Sequence, residues 1–245
     1  MALTFYWRPA GTTLSGTDDY TAGDSTATAS GLPTITANGL ETTDASDWYY
    51  FDPTSIASTS VGAAAFVIQF PIAVPGSGYD FGIRFIDAGG TNYLTVRTAG
   101  ATTGFSFRSA NAGATNTTTT SGVTVSTATD IGVVIRWDFP NDLMRIEAYS
   151  TDGTPLGTAG EDSAADTSTF QPSGSFATYG FQIGNMSSQT NVCYIKNIFV
   201  ADDYNEPLED YLGITSYTEY GPPPDPGGAY LMPQFYQRTN TLLRM

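Results

Sequence analysis

Histidine is absent from the 245 residues, and its absence excludes Ser-His-Asp and Cys-His catalysis and the commonest zinc and copper ligands. There is one cysteine, Cys193, so no intrachain disulfide can form and folding needs no oxidising compartment. It sits in Val192-Cys193-Tyr194-Ile195, an apolar strand pattern that reads as a small buried hydrophobe. Lysine is reduced to Lys196, charged residues make up 13%, and the formal net charge is −15. A surface that acidic repels phosphate backbones and anionic headgroups, which argues against nucleic-acid and membrane partners. The acidity reads first as solvation, and otherwise as an aid to solubility at high local concentration or in a saline habitat. No apolar run approaches the length of a membrane span. The opening MALTFYWR has no basic region followed by an apolar stretch, so no signal peptide is expected and synthesis is placed in the cytoplasm. No segment of any length keeps a helical period.

What the chain has is β-sheet chemistry. Aromatics reach 13%, with many Val/Ile runs set among Thr, Ser, Gly and Ala, which excludes disorder despite the low charge. The organising stretch is 131–149, IGVVIRWDFPNDLMRIEAY. Ile131, Val133, Ile135 and Trp137 share one parity, and Met144, Ile146 and Ala148 oppose Leu143, Arg145, Glu147 and Tyr149. Two such runs around Asp-Phe-Pro-Asn-Asp predict a hairpin. Val134, apolar on the other parity, predicts a central strand covered on both faces.

Further strands are expected at 2–8, 39–41, 48–51, 63–70, 79–86, 92–98, 104–108, 176–183 and 192–201. Residues 10–38 read as a long surface excursion or an arm lying on something else. Phe5-Tyr6-Trp7 either closes a sandwich or anchors to a neighbour. Residues 111–122 read as a polar loop or weak edge strand, and 157–175 as a loop with a turn of helix. The recurrence of strands and turns predicts an all-β antiparallel β-sandwich of the jelly-roll kind, large enough to bury about 70% of its unfolded surface. After Asp202 the character changes. Residues 206–211 read as a short, poorly anchored helical turn, 214–220 as a short strand, and GPPPDPGG as a stiff linker. The expected division is 1–38, N-terminal strand and loop; 39–203, sandwich; 204–245, linker and extended C-terminal arm. An extended arm of 25 residues reaches about 80 Å. Its Leu231, Met232, Phe235, Tyr236, Leu242 and Leu243, with Arg238 and Arg244, are candidate partner-docking residues.

From Leu40 to Val200 the order of AAAFVIQF, YDFGIRFIDAGGTNYLTVR, IGVVIRWDF with NDLMRIEAYSTDG, YGFQIGN and CYIKNIFVADD resembles the laminin-G-like, concanavalin A-like jelly roll. The resemblance covers about two-thirds of the chain. It implies sugar binding, often with calcium, or glucan hydrolysis. The glucanase branch carries carboxylates alternating along one strand; here Glu147 is the only strand glutamate and no acid lies two or four residues away, which speaks against hydrolysis. For calcium, Asp80, Asp87, Asn92, Asp138 and Asp152 lie near strand ends, where acids also serve ordinary turns. No other cofactor is expected. For sugar, Trp48, Tyr49 and Tyr50 are the candidate stacking residues, although Trp48 or Trp137 also suits the core. In composition the chain is similar to bacteriophage virion proteins. The leading expectation is therefore a non-enzymatic structural protein on the virion surface, decorating a capsid or tail. Its arm would dock on other virion subunits or on copies of itself. The alternative is a carbohydrate-binding receptor module that recognises host glycans.

Overall fold

The structure, a computed structural model, describes residues 3–7, 19–21, 28–30, 33–44, 47–51, 58–87, 90–163, 171–172, 181–188 and 190–213. All fall in the first of two compact units, Met1–Thr215. The second, Ser216–Met245, lies outside the described residues, and with it most of the expected 204–245 linker and arm and all eight candidate docking residues.

Sixteen strands follow in chain order among the described residues: β1 (Leu3–Trp7), β2 (Asp19–Thr21), β3 (Thr28–Ser30), β4 (Thr34–Thr36), β5 (Gly39–Thr42), β6 (Asp47–Phe51), β7 (Val61–Gln69), β8 (Asp80–Ile86), β9 (Tyr93–Gly100), β10 (Gly104–Asn111), β11 (Ala114–Thr119), β12 (Ile131–Asp138), β13 (Leu143–Tyr149), β14 (Gly160–Asp162), β15 (Phe181–Asn185) and β16 (Cys193–Ala201). Sheet A runs β14-β13-β12-β7-β16-β1-β2, with β5 also on β16 and β4 on β5; sheet B runs β11-β10-β9-β8-β15-β6-β3. Every pairing is antiparallel. The fold is the expected antiparallel β-sandwich.

The β12–β13 hairpin shows why. Val133 faces Ala148, Ile135 faces Ile146 and Trp137 faces Met144 across the ladder, and all six are buried in one core cluster. The connection is a 3-10 turn over Phe139–Asn141, closed by Asp142 in the left-handed region, whose N–H donates to the Phe139 carbonyl at 3.0 Å. Within sheet B Phe85 stacks on its cross-strand partner Phe181 at 4.8 Å, while between the sheets Phe5 meets Phe181 edge-on at 4.9 Å and Trp137 lies against Phe85 and Phe107. Full burial of each such side chain contributes roughly 1.5–3 kcal/mol before chain entropy is counted. The register of β8 on β9 slips between Asp80 and Arg84. Within that bulge Gly82 has φ +94°, and a Cβ there would overlap the Phe66 ring from the opposite sheet. Glycine is what lets the two sheets close at this point.

Four segments depart from the sequence reading. The 10–38 excursion contains β2, β3 and β4, three-residue strands that add to sheet edges. The stretch at 111–122 contains a regular strand, β11, in full register with β10. The 157–175 loop contributes β14, and Asn116 on β11 donates to Asp162 on β14 at 2.5 Å, joining the two sheets at that edge. The turn at 206–211 is firmly anchored rather than loose. Leu208, Tyr211 and Leu212 are buried, Tyr211 packs on Phe199 at 5.6 Å, and Gly132 is bare where Leu212 lies. In each case the missing signal was long-range: short polar runs become strands because an edge accepts them. Val134 is buried on the outer face of sheet A, as its parity predicted.

Candidate functional site

The sandwich has two outer faces, and they are built differently. On sheet A, Arg136 of β12 points outward beneath residues 204–212 and is only 7% exposed. Its guanidinium donates to Glu147 at 3.3 Å, to the carbonyls of Tyr204 (2.9 Å) and Glu206, and to the Glu209 carboxylate. Arg145 on β13 donates to Glu147 at 2.7 Å and to Glu161 on β14 at 3.0 Å. Asn197 donates to the Leu212 carbonyl at 2.9 Å, and Tyr211 to Glu206 at 3.0 Å. Three carboxylates thus alternate with two guanidiniums in one chain, flanked by hollows of about 290 and 240 Å³. Burial alone would raise Glu147, but the bond and charge of Arg145, with Tyr149 and Arg136, hold it below the usual carboxylate range. A general acid needs the opposite shift. Burial, reinforced by Glu147, pushes the Tyr149 phenol far above its ordinary value. The cluster clamps the 204–212 segment onto the sheet.

Sheet B presents rows of outward side chains set by strand register. One row runs Gln182, Arg84, Thr95, Arg108, Thr117 across five strands. At about 4.8 Å per strand it spans about 19 Å. Beside it run Asp80, Arg97, Ser106 and Thr119, and on the other side Ile86, Tyr93, Ala110 and Thr115. Arg84 donates to the Gln182 side-chain oxygen at 2.7 Å. Arg97 lies 2.8 Å from Asp80 and also donates to the Gly78 carbonyl. Arg108 sits 6.0 Å from the centre of the Tyr93 ring. Burial raises the Asp80 carboxyl above its usual range, against the pull of Arg97, Arg84 and Arg108. The ion-paired side chains remain reachable, with Arg84 19%, Asp80 21% and Arg97 25% exposed.

The residues singled out from the sequence scatter with respect to this face. Trp48 of β6 sits opposite Gly184 and is half-buried. Tyr49, the next residue, is turned inward by strand alternation: it meets Trp7 edge-on at 6.1 Å and packs against the core, so it does not share a stacking platform with Trp48. Tyr50 pairs in register with Gln182, and its side chain lies outside the described residues. Trp137 is fully buried. Of the calcium candidates, Asp80 is held by arginines. Asp87 accepts from the backbone of Thr91 and Asn92 and from the Asn92 side chain, Asp138 from Asn141, and Asp152 from Ser150 and the Thr154 backbone. These bonds, Ser150's first, draw Asp152 down to about 2. Among the described residues no three metal-ligating side chains gather. The sheet B residues Arg84, Tyr93, Arg97, Arg108 and Gln182 were not singled out from the sequence. A signal was present, an arginine at an outward position in each of three successive strands, but it takes the cross-strand register to align them.

Comparison with known proteins places the fold. No protein-family model and no curated protein matches the chain. Among solved structures, domain 4 of a GH43 extracellular arabinanase from Geobacillus stearothermophilus, determined with arabinotriose, is similar over 87% of this chain and 98% of that one, at TM-score 0.58 and 12% identity. The binding domain of botulinum neurotoxin serotype D matches at TM-score 0.58 and 8% identity, over 86% of this chain and 50% of that one. Trypanosoma rangeli sialidase matches at 0.54 and 12% identity, over 86% of this chain and 32% of that one. The chain thus spans half of the toxin domain and about a third of the sialidase. What they share with it is the fold.

Proposed function

We propose that the sandwich is a carbohydrate-binding module without catalytic chemistry, and that the outer face of sheet B is its reading surface. The observation that carries this is the row from Gln182 through Arg84, Thr95 and Arg108 to Thr117, in which Gln182 and Thr95 are buried and Arg84, Arg108 and Thr117 are the reachable hydrogen-bonding side chains, beside the Tyr93 ring. Saccharides are recognised by that combination, hydroxyls by polar side chains and pyranose faces by aromatic ones. Support comes from the fold's likeness to the arabinanase domain solved with arabinotriose and to the binding domain of a botulinum neurotoxin solved with SialylT, the latter at TM-score 0.57 and 8% identity. Glu147, held low by arginines, and Asp80, the one acid among the outward positions of sheet B, make no pair of catalytic carboxylates.

The alternative, decoration of a phage particle through the C-terminal arm, rests on composition and on residues 231–244, outside the described residues. The binding-domain neighbours favour the glycan reading over it. The test is a glycan array probed with the full chain and with Tyr93→Ala and Thr117→Ala. Retention of one saccharide class, weakened by both variants at unchanged melting temperature, is the expected result. A folded chain that retains no saccharide, or retention indifferent to both variants, overturns the assignment.

A further inference from the structure

The chain carries a net charge of −15 and only nine basic residues, yet three of these, Arg84, Arg97 and Arg108, stand on the outward face of sheet B with Asp80 as the single outward acid. Two of the three are engaged. Arg97 is paired with Asp80 at 2.8 Å, and Arg84 donates to Gln182 at 2.7 Å. Arg108 is not. Among the described residues its guanidinium makes no hydrogen bond and no ion pair, its Nε is buried without an acceptor, the Tyr93 ring lies 6.0 Å away, and Asp80 acts on it only at longer range. A guanidinium offers five donors in a fixed fork, and a buried donor left unmatched is costly enough to be rare in native proteins. The acceptor it lacks is an anion, because a planar oxyanion matches the fork with two parallel bonds.

We propose that sheet B takes an acidic saccharide whose carboxylate or sulfate is bound by Arg108. This rests on the carbohydrate reading and narrows it. Arg97 and Arg84 add positive charge on adjacent positions, while the exposed Thr117 and Thr119, the latter bonded to the buried Ser106 at 3.0 Å, line the adjoining outward positions for the sugar's own hydroxyls. The Tyr93 ring lies 6.0 Å from the guanidinium carbon, at the outer limit of a cation–π contact. The field that attracts the ligand is local. The arginines attract an anion and the chain's overall acidity repels it, but both fields fade within a screening length of about 8 Å, so the contact itself must supply the affinity.

The test is titration calorimetry of the full chain with trigalacturonate, its methyl ester, a heparin-derived hexasaccharide and neutral arabinotriose. The expected result is binding of the carboxylated or the sulfated probe, the stronger of the two naming the anion. The ester should bind about tenfold or more weakly, Arg108→Gln should cost the acidic probe a similar factor, and NaCl near 1 M, where the screening length is about 3 Å, should weaken it further. Arg108→Lys, which keeps the charge and loses the fork, tests the same contact if the Gln variant melts early, and is expected to lose affinity as well. If the ester or arabinotriose binds as tightly as the acidic probes, or if both Arg108 variants bind like the parent, the anionic assignment falls while the carbohydrate reading stands. If no probe binds, both fall.

Discussion

Arg136→Met tests whether the outer face of sheet A is held shut by one buried cation. Methionine keeps much of the stem's volume and removes the charge and its donors. Four acceptors lose their partner: the carboxylates of Glu147 and Glu209 and the carbonyls of Tyr204 and Glu206. Removing one member of a buried ion pair costs about 3–5 kcal/mol. The lower end applies here, because Glu147 keeps Arg145 and Glu209, 28% exposed, can rehydrate. Most of the loss then falls on the two carbonyls, at about 1.5 kcal/mol or more for each charge-assisted bond. With a urea dependence near 3 kcal/mol/M, about 3 kcal/mol lowers the midpoint by about 1 M. Arg145→Met is the control. That side chain is 36% exposed and its pairs are screened by solvent, so its loss should stay within about 1 kcal/mol. Hydrogen exchange adds the location, since the amides of 204–212 should exchange faster in Arg136→Met than in the parent. Equal midpoint shifts for the two variants, or unchanged exchange over 204–212, would refute the clamp.

Three further outcomes follow from the geometry. Gly82→Ala combines a left-handed backbone with overlap on Phe66 and should cost about 3 kcal/mol or more, read as a melting-temperature loss; an unchanged melt would show that the β8 bulge is not needed for closure. Glu147 is depressed in the folded chain, so its contribution is complete above the unfolded value near 4.3 and is lost as pH falls through the folded value. Glu147→Gln should therefore flatten the acid limb of the urea midpoint between about pH 5 and 3, and an identical limb would contradict the assignment. Burial pushes the Cys193 thiol up to about 12 despite the contact with Thr42 at 3.0 Å. Labelling by a disulfide reagent at pH 8 should track global unfolding, and rapid labelling of the folded chain would sink that reading.

Parity was enough to place the core. Ile131, Val133, Ile135 and Trp137 face the opposite sheet as the alternation predicted, and Cys193 is buried in its apolar strand. Where the alternation was weak or polar, prediction stopped. ATNTTT has no apolar face to declare, and it is a strand because Thr118 pairs Phe107 and the edge of β10 accepts it. Glu206-Pro-Leu-Glu-Asp-Tyr shows too few apolar residues to announce an amphipathic turn. Its anchor is Arg136, some seventy positions earlier in the chain, and a bare patch at Gly132 that a sequence cannot reveal as a seat for Leu212.

Glu147 makes the same point for the site and decides between the two faces. Counting along the strand finds no acid two or four residues away, which is correct, yet Glu161 reaches the same arginine from the neighbouring strand. What the fold brings to Glu147 is neutralisation, and it engages Arg136 and Arg145 in doing so. Sheet A's cations are satisfied by the chain's own carboxylates and carbonyls, and residues 204–212 lie over its centre. Sheet B has three arginines on its outward face and one acid to meet them, so among the described residues one guanidinium is left with donors and no acceptor. An acidic protein can readily supply carboxylates, yet among the described residues the one near Arg108, Asp80, is already paired with Arg97. The face with the unanswered charge is the one a ligand can complete.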